Sequence, residues 1–88
     1  MGNNLNVITT GYYKNDKIEI KENDSVILIC KSFLRKTIIL MDNTTIRKVM
    51  GTVLSNNRYE IIIEWKDGKL SQALIDDTIY NAILRKMK

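Results

Sequence analysis

The stretch Tyr59-Glu60-Ile61-Ile62-Ile63-Glu64-Trp65-Lys66-Asp67-Gly68 carries the clearest structural signal in the sequence. Side chains alternate along it with a period of two, which predicts a β-strand with one buried face. The predicted core face carries Tyr59, Ile61, Ile63 and Trp65, and the outer face carries Glu60, Ile62 and Glu64. Asp67-Gly68 predicts a tight two-residue turn, because this pair supplies positive backbone dihedrals, and residues 70–74 should return antiparallel.

Four segments upstream of this hairpin also have strand patterns. Residues 17–21 alternate strictly, and residues 26–30 form a continuous apolar run that we expect to be the central strand. Residues 37–41 and 46–54 follow, separated by turn clusters rich in Asn and Asp. Gly51 lies inside the last segment, where a glycine typically marks a bulge or a sharp bend.

The two ends of the chain have different patterns. Residues 1–16 are rich in Asn, Thr and Gly and indicate an irregular arm with a short strand at 5–9. Near the C-terminus the apolar residues recur every three or four positions, which predicts a helix of about three turns that packs on or caps the sheet. We therefore expect a single domain over residues 1–88, with an arm at 1–16, a β-barrel at 17–75 and a helix at 76–88.

The order of these elements resembles a known fold. Asn23-Asp24-Ser25-Val26 opens one strand, Gly51-Thr52-Val53 lies in a second, and Tyr59-x-Ile61-x-Ile63-x-Trp65 leads into Asp67-Gly68. Over residues 18–75 this is similar to Tudor-like and KOW-like SH3 barrels. The resemblance implies a mostly β, SH3-like small barrel of about five to six antiparallel strands with one C-terminal α-helix. It also implies binding rather than catalysis, because such barrels bind peptides, methylated side chains, nucleic acids or proteins.

Composition limits the chemistry that the chain can perform. With 88 residues, one cysteine and no histidine, it has no intramolecular disulfide and none of the usual zinc sites. Cys30 lies in an apolar run and is interpreted as a small hydrophobic residue. Asp76 and Asp77 are interpreted as helix caps rather than metal ligands. We expect no cofactor, no metal and no enzymatic activity, and note that chains of this size often need a partner subunit for stability.

Charge and amino-acid composition indicate the partner, the cellular location and the source that we expect for the protein. The net charge is +4 and the pI is near 9.3, which favours an anionic partner. We find no signal-peptide pattern and no apolar stretch of the roughly 20 residues that a membrane span requires, so a cytoplasmic protein without a membrane partner is expected. Ile, Asn and Lys exceed a third of the residues, which points to AT-rich coding in a low-GC bacterium, phage or plasmid.

The leading functional hypothesis is binding of DNA or RNA. Cations neutralise phosphates and exposed aromatic rings stack on bases, so the two residue types together indicate a nucleic-acid surface. The candidate residues, which cluster in a basic loop and two later turns, are Lys31, Phe33, Arg35, Lys36, Arg47, Lys48 and Arg58.

The alternative hypothesis is binding of a protein. Ile62 lies on the predicted outer face, and Tyr12 and Tyr13 have no obvious place in the core. An exposed isoleucine or an unpaired sheet edge could seat a host protein, as in a phage or mobile-element anti-defence protein, or a second copy in a homodimer. Equally, the helix or the arm could cover Ile62. An aromatic cage for methyl-lysine is disfavoured, because Tyr59 and Trp65 are assigned to the core.

Overall fold

A computed structural model describes residues 5–31 and 36–88, with only the backbone described at Lys36. In these ranges seven strands precede one helix: β1 (Val7–Gly11), β2 (Lys17–Ile20), β3 (Val26–Lys31), β4 (Lys36–Leu40), β5 (Ile46–Ser55), β6 (Arg58–Trp65), β7 (Leu70–Asp76) and α1 (Asp77–Lys86). All neighbouring strands are antiparallel, in the order β4-β3-β2-β1-β7-β6-β5. The fold is thus mostly β, a curled half-barrel with a C-terminal helix, and it has more strands than the five to six expected.

The additional strand is β1, which lies within the predicted arm at Val7–Gly11 rather than at 5–9. It occupies the middle of the sheet, between β2 and β7, and Val7 pairs with both Lys17 and Leu74. The prediction that residues 26–30 form the central strand is therefore wrong, because β3 is second from the edge. Its apolar run reflects burial on both faces: Leu28 faces the core, and Ile27 on the opposite face is also buried.

A short corner, residues 41–45, joins the two edge strands of the sheet. At its start the Met41 N–H donates to the Val26 carbonyl at 2.8 Å, and at its end the Thr45 carbonyl accepts from the Lys66 N–H at 2.9 Å. Asp42 organises the turn between them, because its carboxylate accepts from both the N–H and the hydroxyl of Thr44. The corner thus ties β3 to the end of β6 and holds the sheet curled.

The concave side of the sheet holds the hydrophobic core. Its buried members on the strands and the corner are Ile8, Ile18, Val26, Leu28, Met41, Ile46, Ile61, Ile63, Trp65, Ala73 and Ile75. The predicted inward orientation of Ile61, Ile63 and Trp65 is confirmed. The indole N–H of Trp65 donates to the Ser71 hydroxyl at 2.8 Å, so the polar atom of this buried ring is satisfied.

Helix α1 packs against the core side of the sheet. Asp76 caps its N-terminus by accepting from the Ile79 N–H at 2.9 Å, which agrees with the interpretation of this acid as a cap. Ile79, Ala82 and Ile83 are buried, as the apolar spacing predicted. In the part of the chain that the structure describes, no helix is long and apolar enough to span a membrane.

Gly51 makes room for the helix and does not mark a bulge. A Cβ atom at this position would lie 2.5 Å from Cε1 of Tyr80, whose ring stacks on Tyr59 with 4.1 Å between the centroids. The register shifts in β5 lie elsewhere, between Ile46 and Lys48 and near the hairpin tip. The expectation of a bulge or bend at Gly51 is therefore wrong, because close packing rather than backbone geometry requires the missing side chain.

The β6–β7 turn is one residue longer than predicted. The Trp65 N–H donates to the Lys69 carbonyl and the Gly68 N–H donates to the Trp65 carbonyl, so Lys66, Asp67 and Gly68 form a three-residue loop. Gly68 alone in this loop has a positive φ, of 92°. This is the three-residue hairpin loop in which a β-turn is followed by one residue with a left-handed backbone conformation. A glycine is therefore needed only at the last position of the loop.

We predict that Gly51→Ala lowers the free energy of unfolding by about 1–3 kcal/mol, because the added methyl group overpacks against the Tyr80 ring. Urea unfolding followed by circular dichroism measures the change. The control is the same substitution in a Tyr80→Ala background, where the cost should be much smaller. Equal costs in the two backgrounds would contradict this packing role.

We also predict an acid-dependent loss of stability at the corner. Hydrogen bonds from Thr44 hold the pKa of Asp42 below its ordinary value of 3.8. A carboxyl group whose pKa is lower in the folded state stabilises the fold above the unfolded pKa, and this contribution is lost as the pH falls through the folded pKa. Because Asp42 is only partly buried, solvent screening limits its contribution to about 1 kcal/mol or less.

Urea unfolding of Asp42→Asn between about pH 5 and pH 3 tests this expectation. The variant should lose less stability than the wild-type chain over that interval, because it has no proton to take up at this position. Glu22→Gln, at an exposed acid between β2 and β3, is the control and should follow the wild-type curve. Parallel curves for Asp42→Asn and the wild type would contradict the assignment.

Candidate protein-binding surface

The predicted basic loop lies mostly outside the described residues. Phe33 and Arg35 fall in the undescribed range, and so does the side chain of Lys36. Lys31 is described and exposed at the end of β3, where its backbone N–H donates to the Asp16 carboxylate at 3.3 Å. The loop's role in nucleic-acid binding therefore stays a prediction.

The other predicted cations are exposed but are not brought together. Arg47 forms an ion pair with Glu64 at 3.9 Å, and Lys48 is the cross-strand neighbour of the same glutamate. Arg58 begins β6, six residues away from Glu64, which corresponds to about 20 Å along an extended strand. Glu64 thus lies beside Arg47 and Lys48, whereas Arg58 is at the opposite end of β6.

The two tyrosines lie at the end of the half-barrel near the β6–β7 turn. The ring of Tyr13 packs edge-on against Trp65 at 5.2 Å, and the ring of Tyr12 packs against Tyr13 at 4.4 Å. Burial raises the pKa of Tyr13, which is half-buried. The ammonium group of Lys69 lies 4.8 Å from the centroid of the exposed Tyr12 ring. Tyr13 therefore belongs to the core, and Tyr12 covers its edge.

Ile62 lies on the convex face of the sheet, and helix α1 does not cover it. Its side chain is 38% exposed, and two other aliphatic residues adjoin it in the register: Met50 directly opposite on β5 and Leu70 diagonally on β7. These neighbours are 50% and 56% exposed. We call Met50, Ile62 and Leu70 the convex patch. A shallow pocket of about 190 Å³ adjoins this patch on the side of β1, and its lining residues are Thr10, Gly11, Ile62, Leu70, Ser71 and Gln72.

Polar groups surround the convex patch. The Thr10 hydroxyl donates to the Gln72 side chain at 2.9 Å, which fixes one side of the pocket. Lys48 and Glu64 lie in the row next to Met50 and Ile62. An apolar centre with a polar rim is the usual arrangement of a protein contact surface. The patch is therefore suited to receive an apolar side chain.

The sequence identified Ile62 as a candidate contact residue but did not identify its exposed neighbours, Met50 and Leu70. The position of Leu70 could have been predicted from the turn. Leu70 pairs with Glu64, and paired residues share a face of the sheet, so Leu70 lies on the same face as Glu64 and Ile62. Met50 has no such signal, since its position depends on the register shift between Ile46 and Lys48 in β5. The sequence also places Tyr12 and Tyr13 in the same hypothesis as Ile62; the Tyr12 N–H donates to the Leu70 carbonyl at 2.9 Å, whereas the Tyr13 ring packs against Trp65.

A second apolar surface lies on the outer face of β3 and the edge strand β4. Ile38 and Leu40 on β4 are 56% and 45% exposed, and they pair with Ile29 and Ile27 on β3. We call these four residues the edge patch. The sequence predicted both strands but not this surface, because the alternation of β3 is hidden in its continuous apolar run.

Few reactive groups occur among the described residues. Burial raises the pKa of the Cys30 thiol to about 11, with a further contribution from the nearby Asp16 carboxylate. The thiol is therefore protonated at neutral pH, as expected for a cysteine that packs like a small hydrophobic residue. Within residues 5–31 and 36–88, no group of three or more acidic or cysteine side chains could hold a metal ion.

The two faces of β6 should respond differently to truncation. We predict that Ile61→Ala lowers the free energy of unfolding by about 2–5 kcal/mol, because Ile61 is fully buried in the core. Ile62→Ala should cost less than about 1 kcal/mol, because its side chain is already partly in water. Chemical unfolding of the two variants measures both values. A larger loss for Ile62→Ala would contradict the assigned faces.

The described residues thus form two apolar surfaces, the convex patch with its adjoining pocket and the edge patch on β3 and β4. Comparison of the chain with protein-family models, with curated proteins and with solved structures finds no match.

Proposed function

We propose that this chain is a non-catalytic protein-binding module whose convex patch receives an apolar side chain of an acidic partner protein. The observation that carries the proposal is a shallow pocket lined by Ile62 and Leu70, with the exposed Met50 next to Ile62 on the neighbouring strand. None of the three side chains belongs to the core cluster, so the stability of the fold does not account for them.

Burial of these side chains by a partner would be favourable. Removal of apolar surface from water contributes about 25 cal/mol per Å², and the three side chains keep between 38% and 56% of their surface exposed. Binding energy in protein interfaces concentrates in a few central side chains that fill pockets. The pocket, of about 190 Å³, is smaller than the roughly 300–1,000 Å³ of typical small-molecule sites, so we expect it to take a single side chain.

Electrostatics favour an acidic partner. The chain carries a net charge of +4, and Arg47 and Lys48 are exposed next to the convex patch. Complementary charge accelerates association and orients the partner more than it increases final affinity. Because Glu64 lies beside both cations, we expect a modest electrostatic contribution that salt weakens.

Nucleic-acid binding is the less well supported function. It requires cations along a phosphate path with aromatic rings beside them. Among the described residues Arg58 is far from Arg47 and Lys48, and the exposed ring of Tyr12 lies beside Lys69 rather than beside these cations. DNA and RNA are therefore retained as alternative outcomes of the binding test.

We further infer that the half-barrel is a variant of the SH3-like barrels of Tudor or KOW type. The β5-β6-β7 meander contains the Gly51-Thr52-Val53 and Tyr59-x-Ile61-x-Ile63-x-Trp65 motifs that underlie the resemblance. Binding is the common property of such barrels. Its high content of Ile, Asn and Lys indicates AT-rich coding DNA, which fits a phage or mobile-element protein that binds a host protein in the cytoplasm.

Selection of random displayed peptides on the wild-type chain, followed by calorimetry of the selected peptides, tests the proposal. We predict peptides that combine an apolar residue with acidic neighbours. Ile62→Lys should weaken their binding by at least about tenfold, which corresponds to about 1.4 kcal/mol. Leu84→Lys is the matched control, because Leu84 is also 38% exposed but lies on α1, and it should leave the affinity unchanged.

Peptides that bind Ile62→Lys as tightly as the wild-type chain would contradict the role of the convex patch. A parallel gel-shift series uses single- and double-stranded DNA and RNA. Binding at low salt that weakens steeply with added salt would support the nucleic-acid function instead. No shift at low salt is the result that the proposal predicts.

A further inference from the structure

We propose that two copies of the chain associate through their β4 strands, which pair antiparallel about a two-fold axis centred on Ile38. This inference concerns the edge patch and is independent of the proposed binding at the convex patch. It specifies the occupant of the exposed edge of the sheet as a second copy of the same chain.

The hydrogen-bond register of β4 turns the backbone groups of alternate residues away from β3. The Met41 N–H donates to the Val26 carbonyl, so in this antiparallel pair the backbones of Thr37 and Ile39 also face β3. The backbone N–H and carbonyl groups of Lys36, Ile38 and Leu40 must then point to the open side. There the Leu40 carbonyl already accepts from the Thr45 hydroxyl at 2.6 Å and keeps one lone pair for a second donor. In the described part of the chain β4 is an edge strand, with β3 as its neighbour.

This register is complementary to itself. With Ile38 opposite Ile38 of the second copy, Lys36 lies opposite Leu40 and Leu40 lies opposite Lys36. Each of these facing pairs brings two N–H groups towards two carbonyl groups, as a two-fold antiparallel junction requires. No lysine stands directly opposite a lysine, so the pairing avoids the like-charge contact that would oppose it.

The side chains favour the same arrangement. Ile38 pairs with Ile29 within the chain, so the junction creates a row of four isoleucines across two copies: Ile29, Ile38, Ile38 and Ile29. Ile38 is 56% exposed in the single chain and would be buried in this row. Aliphatic β-branched neighbours across strands are a favourable pairing in sheets.

The two edges of the sheet differ in how they resist pairing. Edge strand β5 carries Arg47 and Lys48 beside a register shift, and charges and bulges are devices by which proteins block edge pairing. Strand β4 has a lysine only at its first position, and residues 37–40 carry no charge. The β4 edge is therefore the one left open to association.

A second copy would also stabilise the fold. The chain has one cysteine and therefore no intramolecular disulfide, and association of the folded state raises its stability by mass action. Pairing at β4 leaves the convex patch free, because that patch lies on β5, β6 and β7 at the other end of the sheet. The dimer would therefore present two convex patches.

Sedimentation equilibrium of the full chain over a concentration series tests the proposal. The wild-type chain should form a dimer, and Ile38→Lys should raise the dimer dissociation constant by about a hundredfold or more. The matched control is Val53→Lys, at an exposed aliphatic residue on the other edge strand, which should leave the dimer intact. Circular dichroism establishes that each variant is folded.

Amide hydrogen exchange on the wild-type chain provides a test that needs no variant. At concentrations where the dimer forms, the amides of Ile38 and Leu40 should exchange more slowly than at high dilution. Those of Thr37 and Ile39 should be protected at both concentrations, because they bond to β3.

A chain that stays monomeric at every concentration would overturn the proposal. A dimer that survives Ile38→Lys would overturn it as well. So would exchange at the wild-type Ile38 amide that is equally fast at high and low protein concentration. Either failure leaves the peptide-binding test at Ile62 unaffected, so the two proposals can be judged separately.

Discussion

The corner at residues 41–45 is the constraint on which the rest of the structure depends. One backbone hydrogen bond ties Met41 to Val26 on β3, and another ties Thr45 to Lys66 at the end of β6. Because β4 and β5 are the two edges of the sheet, this corner joins opposite edges at the point where β4 ends and β5 begins, and the two strands do not pair with each other. Asp42 holds the turn, and the curl that results gives the core its enclosed side.

The curl determines what each surface can do. Apolar side chains on the concave side are covered by one another and by α1, whose Tyr80 ring sits over Gly51. On the convex side the three residues of the convex patch are exposed, and so are Ile38 and Leu40 of the edge patch, whereas Ile27 and Ile29 are buried. The two surfaces lie on different strands, so one partner can occupy each without competition.

Local pattern predicted most of the elements, whereas long-range pairing determined the surfaces. Alternation in residues 59–65 predicted both faces of β6, and the apolar spacing at the C-terminus predicted α1. The position of β1 depends on pairing with β7 more than sixty residues away, which no local pattern reports. The same holds for Met50 beside Ile62 and for Tyr80 over Gly51, because both contacts arise from register and packing rather than from neighbouring residues.

The central claim is that this protein binds a protein partner through the convex patch. Methyl and amide NMR shifts of the labelled wild-type chain, recorded during titration with a selected acidic peptide, test it most directly. The account predicts that the largest changes occur at Met50, Ile62 and Leu70. Changes centred on Lys31 and Arg58, with the convex patch unaffected, would contradict it.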